Sequence, residues 1–174
     1  LPTPEGIEVC RDYHIQMPMQ SAFIGWKQEP DDYLEHILGR DRLEKLNPIK
    51  TFRDNNIVVS FGSDAPCTTP DPIAWMDRAV NNDNAGQAVS VQDALRMCTY
   101  NGAWAAFDEQ ERGSLEAGKI ADMAVLSENP YTVPKDKLSG LRVERLYLSG
   151  KPYESCRENI LPMMLRGLTS RNKA

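Results

Sequence analysis

Apolar positions in the first hundred residues recur mostly at helical spacing, broken by one dense β-branched run, and past residue 108 the pattern turns to strand-like alternation. Thr3 followed by Pro4 opens the series. A hydroxyl that can accept from a first-turn amide, then a residue whose missing N–H costs nothing there, predicts a helix to about Tyr13. Residues 15–20 alternate apolar and polar side chains and predict a short strand, although Pro18 cannot donate to a ladder. Asp31 and Asp32 start a helical stretch carrying Leu34, Ile37 and Leu38 and broken at Gly39; a further helical stretch follows. Asn47 and Pro48 form a second cap and first-turn pair, for a helix ending at Asn55 and Asn56. Ile57-Val58-Val59-Ser60-Phe61 then shows no polar alternation until Ser60, the pattern of a strand buried on both faces.

Asp71 and Pro72 restart a helix with Ile73, Met76, Ala79 and Val80 on one side. Ser90 and Asp93 form a capping-box variant, and Val91, Ala94, Leu95 and Cys98 behind it predict one helix to about Phe107. A helix, a buried strand and another helix are the parts of a βα unit in a parallel sheet. Farther on, residues 121–126 and 143–148 read as strands, the second stopped by the turn Ser149-Gly150-Lys151-Pro152. Residues 129–140 between them read as a polar loop, and the tail from about Arg157 holds one apolar cluster at Ile160, Leu161, Met164 and Leu165.

The chain has 174 residues, 41% of them hydrophobic, enough for one domain with a core. Lys and Arg number 20 against 25 Asp and Glu, a net charge of −5 that argues against a backbone-gripping nucleic-acid binder. No apolar run approaches membrane-spanning length and no basic, apolar, small-residue sequence opens the chain, so a cytoplasmic protein without a membrane partner is expected. Four cysteines, Cys10, Cys67, Cys98 and Cys156, have no two-residue spacing and read as reduced thiols. Leu1-Pro2-Thr3-Pro4 reads as the start of a helix rather than of a gene product, so the chain is expected to be processed or part of a longer one.

Asp64 is the strongest candidate for chemistry. A carboxylate just past a buried parallel strand lies at the strand's carboxyl end, where α/β sheets build their sites; the competing reading is a turn residue that caps loop amides. The two histidines offer little support. His14 stands ahead of the first strand, at the opposite end from Asp64, and His36 falls within a helix. No His-x-His, His-Glu-x-x-His or Cys-x-x-Cys occurs, so the chain alone lacks a transition-metal ligand set. Ser63 has no nucleophile-elbow frame, and Cys67 has no histidine obviously beside it. Phosphate-loop and dinucleotide fingerprints are absent.

Two motifs together resemble a known family. Val59-Ser60-Phe61-Gly62-Ser63-Asp64-Ala65-Pro66, with Pro70-Asp71-Pro72 behind, is similar to the eighth barrel strand and following loop of the amidohydrolase superfamily, in the branch called amidohydrolase family 3 or YtcJ-like. Gly113-Ser114-Leu115-Glu116-Ala117-Gly118-Lys119-Ile120-Ala121-Asp122-Met123-Ala124-Val125-Leu126 resembles that family's return from the last barrel helix into its β-sandwich lobe. The segment from Thr99 to Ala103, Thr-Tyr-Asn-Gly-Ala, resembles one in the intervening helix, and Val143 to Glu154 the closing sandwich strand.

The resemblance implies an α/β fold: a partial (β/α)₈ TIM barrel, its last two βα units, over residues 1–108, then part of a small β-sandwich lobe over 109–156 and a tail over 157–174. It implies hydrolysis of amide, ester or related bonds of a small-molecule substrate by metal-activated water, with a divalent metal, zinc being the expected ion. Asp64 inherits the role of the aspartate that binds metal and moves the proton. The family's first-strand His-x-His, its bridging lysine and its later histidines have no counterpart, and a complete barrel needs about 250 residues. The expectation is therefore a carboxy-terminal portion, inactive alone, whose open parallel edge favours self-association. A non-catalytic α/β assembly domain of the same descent is the rival, and a cysteine-dependent enzyme at Cys67 a third reading.

Overall fold

The computed structural model describes residues 2–24 and 33–153. Helix α1 (Pro4–Asp12) begins as the local pattern dictates, with the Thr3 hydroxyl oxygen accepting from the Gly6 amide at 3.1 Å. Strand β1 (Met17–Met19) follows and turns into a short 3₁₀ segment, Ser21–Phe23. Helices α2 (Tyr33–Leu38), α3 (Arg40–Leu43) and α4 (Ile49–Asp54) lead to strand β2 (Val59–Phe61). Asn47 does not cap α4. It adopts φ +48°, a left-handed turn that Asn tolerates, its carbonyl takes the Ile49 amide at 2.8 Å, and Pro48 becomes the residue ahead of the helix.

β1 and β2 pair in parallel, with Met17 opposite Val59 and Met19 opposite Phe61. The Met17 amide donates to Val58 and the Gly62 amide to Met19, so residues 17 and 19 of β1 face this partner. Pro18 lies between them, where a missing N–H takes nothing from the ladder. Helix α5 (Pro72–Val80) starts with the Asp71 carboxylate accepting from the Ile73 amide at 3.0 Å, and α6 (Val91–Cys98) with the Ser90 hydroxyl accepting from the Asp93 amide at 3.0 Å.

The single helix expected over 90–107 is two. Thr99 breaks it at φ −124°, ψ −90°, its hydroxyl bonding back to the Leu95 carbonyl at 2.8 Å, and α7 (Tyr100–Ala105) continues beyond. Strands β3 (Met123–Leu126), β4 (Val143–Leu148) and β5 (Lys151–Pro152) form an antiparallel sheet in that order, with a register shift between Val125 and Leu126. Among the described residues this sheet is a single layer.

The core gathers Ile49, Phe52, Val59, Met76, Ala79 and Met97 from the helices and from β2. Leu138 and Leu141 join it. The loop expected over 129–140 thus contains a 3₁₀ segment, Lys135–Gly140, packed on α5, in which Leu138 is 0% exposed. The apolar cluster at Ile160, Leu161, Met164 and Leu165 and the tail that holds it lie outside the described residues.

Candidate active site

Parallel pairing puts the carboxyl ends of β1 and β2 on one side of the molecule, and Asp64 lies three residues past the end of β2 on that side. Asp64 is exposed and adopts φ +54°, a conformation more open to Asp than to most L residues. No hydrogen bond or ion pair reaches its carboxylate from the described residues, so both oxygens are open. Its backbone is held tightly. The Asp64 carbonyl accepts from the Cys67 amide at 2.9 Å, the Ser63 hydroxyl oxygen accepts from the Ala65 amide at 3.1 Å, and the Thr68 hydroxyl donates to the Ser63 carbonyl. The peptide between Ala65 and Pro66 is cis.

Helix α5 anchors the far end of this loop. The Trp75 indole N–H donates to the Thr69 carbonyl at 3.2 Å, and the buried Ser21 hydroxyl, just past β1, donates to the Trp75 carbonyl at 2.9 Å. On the other edge of β2 the Asn101 amide nitrogen donates to the Val59 carbonyl at 2.7 Å. From the chain alone Trp75 reads as a packing residue, and neither Thr68 nor Asn101 is given a role. Only Asn101 carried a signal, as part of the Thr-Tyr-Asn-Gly-Ala segment, and its partner was not apparent from the chain alone.

Neither histidine is placed to complete a centre with Asp64 alone. His14, exposed at φ +53°, stands ahead of β1 at the amino end of the parallel pair, and His36 is exposed on α2. Cys67 is exposed in the Asp64 loop. Cys98 is the opposite case: burial pushes its thiol up to about 12, so it stays protonated and unreactive near neutral pH.

As a metal donor Asp64 fits, being an acceptor-only group with two free oxygens. As a complete site the chain does not. Among the described residues no group of three His, Cys, Asp or Glu side chains could hold an ion, whereas a catalytic zinc takes three protein ligands. Also among the described residues, no helix is long and apolar enough to cross a membrane.

A carboxylate at the carboxyl end of a parallel β pair lies where α/β sheets build their sites. A family model described as amidohydrolase family matches residues 7–153. The chain belongs to that family. It is 33% identical over 152 residues to the N-substituted formamide deformylase of Arthrobacter pascens, across 83% of this chain and 26% of the relative. The chain therefore spans about a quarter of that enzyme's length. In fold it is similar to a metal-dependent hydrolase from Pyrococcus horikoshii OT3, with TM-score 0.63 and 23% identity over 77% of this chain and 28% of that one. An adenosine deaminase from Xanthomonas campestris solved with bound zinc is similar over 97% of this chain and 40% of its own, with TM-score 0.61 and 20% identity.

Proposed function

We propose that this chain is the carboxy-terminal portion of a metal-dependent amidohydrolase acting on amide or other C–N or ester bonds of a small molecule, with Asp64 as its proton-transfer carboxylate and one metal ligand. The observation that carries the reading is Asp64's free carboxylate at the carboxyl end of β2, in a chain whose family is established. In this reading β1, β2 and their helices are the last two βα units of a (β/α)₈ barrel over residues 1–108, and the antiparallel sheet belongs to a sandwich lobe over 109–156. The remaining metal ligands, imidazoles above all, come from sequence outside this chain.

A divalent metal, zinc in the simplest case, supplies when bound a water acidic enough to ionise near neutral pH. Asp64 does the rest of the work assigned to this chain. One carboxylate oxygen accepts the proton of the attacking water as the new C–O bond forms, and it delivers that proton to the leaving nitrogen or oxygen as the scissile bond breaks. A carboxylate suits both duties because its second oxygen remains free to bind a cation. The Cys67 amide and the Thr68 hydroxyl donate to backbone carbonyls and the Ala65 amide to the Ser63 hydroxyl, which leaves the carboxylate uncommitted.

The test uses the full-length protein that contains this chain, assayed on N-substituted formamides and other small amides. Asp64→Asn is expected to lower kcat by about a hundredfold or more while the protein stays folded. Undiminished turnover in that variant would end the reading. The 174-residue chain by itself is expected to bind no stoichiometric zinc and to hydrolyse none of these amides. Metal-dependent turnover by the chain alone, lost on Asp64→Asn, would show the centre to be complete without further sequence.

A further inference from the structure

We propose that Thr68 is a positioning residue for Asp64: its hydroxyl, by donating to the Ser63 carbonyl, fixes the peptide plane from which the Asp64 side chain projects. The inference rests on the assignment of Asp64 as the proton-transfer carboxylate.

The geometry is local. Ser63 contributes the carbonyl half of the peptide group whose other half is the Asp64 amide, so whatever grips that oxygen fixes the Asp64 N–Cα bond, and with φ +54° the direction of its Cα–Cβ bond. Thr68 is the side chain that grips it, from five residues on, and the bond is partly buried. Asp64 stands at φ +54°, away from the wells that L residues favour, and its carboxylate takes no hydrogen bond from the described residues. Among the described residues, only the backbone on which this carboxylate stands orients it. Of the other two bonds of the loop, Cys67 amide to Asp64 carbonyl at 2.9 Å closes the turn beyond Asp64 and Ala65 amide to Ser63 hydroxyl at 3.1 Å spans it, and both leave the Ser63 carbonyl to Thr68.

The neighbouring Thr69 supplies an internal control. It lies in the same loop and carries the same side chain, yet its hydroxyl takes part in no hydrogen bond among the described residues.

The experiment compares Thr68→Val, Thr68→Ser and Thr69→Val in the full-length enzyme. Valine keeps the shape and removes the donor, whereas serine keeps the donor. Thr68→Val is expected to lower kcat about tenfold or more, because a small displacement of a reacting group costs rate steeply. KM is expected to stay within about twofold, since a proton-transfer group contributes little to ground-state binding. Thr68→Ser and Thr69→Val are expected to turn over near the wild-type rate. Amide exchange read by mass spectrometry over residues 62–68 supplies a readout independent of turnover, faster in Thr68→Val and unchanged in the other two. Wild-type kcat in Thr68→Val while Asp64→Asn is inactive would overturn the proposal and leave the catalytic assignment standing. So would a Thr68→Ser variant as slow as the valine variant. If Asp64→Asn retains full activity the catalytic assignment falls and this inference with it, whatever the exchange data show.

Discussion

Asn101 occupies the hydrogen-bonding edge of β2 that faces away from β1, donating from its side-chain amide to the Val59 carbonyl at 2.7 Å. In a parallel strand alternate residues bond to opposite neighbours. Val58 and Gly62 bond toward β1, so Val59 presents its carbonyl to the other side, where Asn101 supplies the donor that a further strand would otherwise bring. Val59 is 1% exposed, which makes that carbonyl unable to turn to water without unpacking the strand.

Removing the donor should therefore cost the unmade hydrogen bond. Asn101→Ala is expected to destabilise the folded chain by about 1–3 kcal/mol, the range for leaving a buried acceptor unsatisfied. Urea unfolding would measure it. A midpoint equal to that of the parent chain would show that the Val59 carbonyl finds another partner.

Two glycines with left-handed backbones separate backbone conformation from close approach. Gly113 has φ +84°, and a Cβ there would lie 2.7 Å from the Ala103 Cβ and 2.9 Å from the Tyr100 Cα, at the start of α7. Gly118 has φ +96° and open space around it. Gly118→Ala is expected to cost only the conformational penalty, about 1 kcal/mol. Gly113→Ala adds overpacking against backbone, about 1–3 kcal/mol more. Equal thermal midpoints for the two variants would contradict the packing of the Gly113 turn onto α7.

What could be read from the chain alone was what is local. Thr3 with Pro4, Asp71 with Pro72, and Ser90 with Asp93 mark helix starts because the cap and its amide lie within three residues, and each cap forms. The β-branched run ending at Phe61 located β2, and with it the position of Asp64. The alternation over 143–148 located β4. What could not be read depends on partners far along the chain or on a choice among equals. Leu138 is one leucine in a polar stretch, and only the packing of its 3₁₀ segment on α5 makes it core. At Thr99 the helical pattern breaks with the hydroxyl bonded back to the Leu95 carbonyl, an option open to any threonine whether or not its helix breaks. Thr68 and Thr69 are alike as letters, and among the described residues only the Thr68 hydroxyl bonds within the Asp64 loop.

Burial of Leu138 gives a direct check that the region past residue 108 shares the core of the helices. Leu138→Ala is expected to cost about 2–5 kcal/mol, as for other fully buried leucines. Leu115→Ala, at a residue 76% exposed, should change stability by no more than about 0.5 kcal/mol. If both variants unfold at the same urea concentration, the 3₁₀ segment does not dock on α5 in solution.

Cys98 makes stability fall in alkali, in a direction its burial dictates. Its thiol is pushed from 9.0 to about 12 by burial, and its Sγ lies 3.6 Å from the Pro72 carbonyl oxygen. Below about pH 9 the thiol is protonated in folded and unfolded chains alike, so it contributes no pH dependence there. Between about pH 9 and 12 the unfolded chain releases this proton while the folded chain keeps it. The unfolded state then binds fewer protons, and stability declines as pH rises through that window. Other groups titrate there too, so the quantity to measure is the difference between the parent chain and Cys98→Ala in urea midpoints at pH 8 and pH 10.5. The parent is expected to lose more than the variant over this interval. Alkylation near neutral pH provides an independent reading, with exposed Cys67 labelled well before Cys98. Equal alkaline losses in parent and variant, or Cys98 labelled as fast as Cys67, would mean that water reaches the Cys98 thiol between α5 and α6.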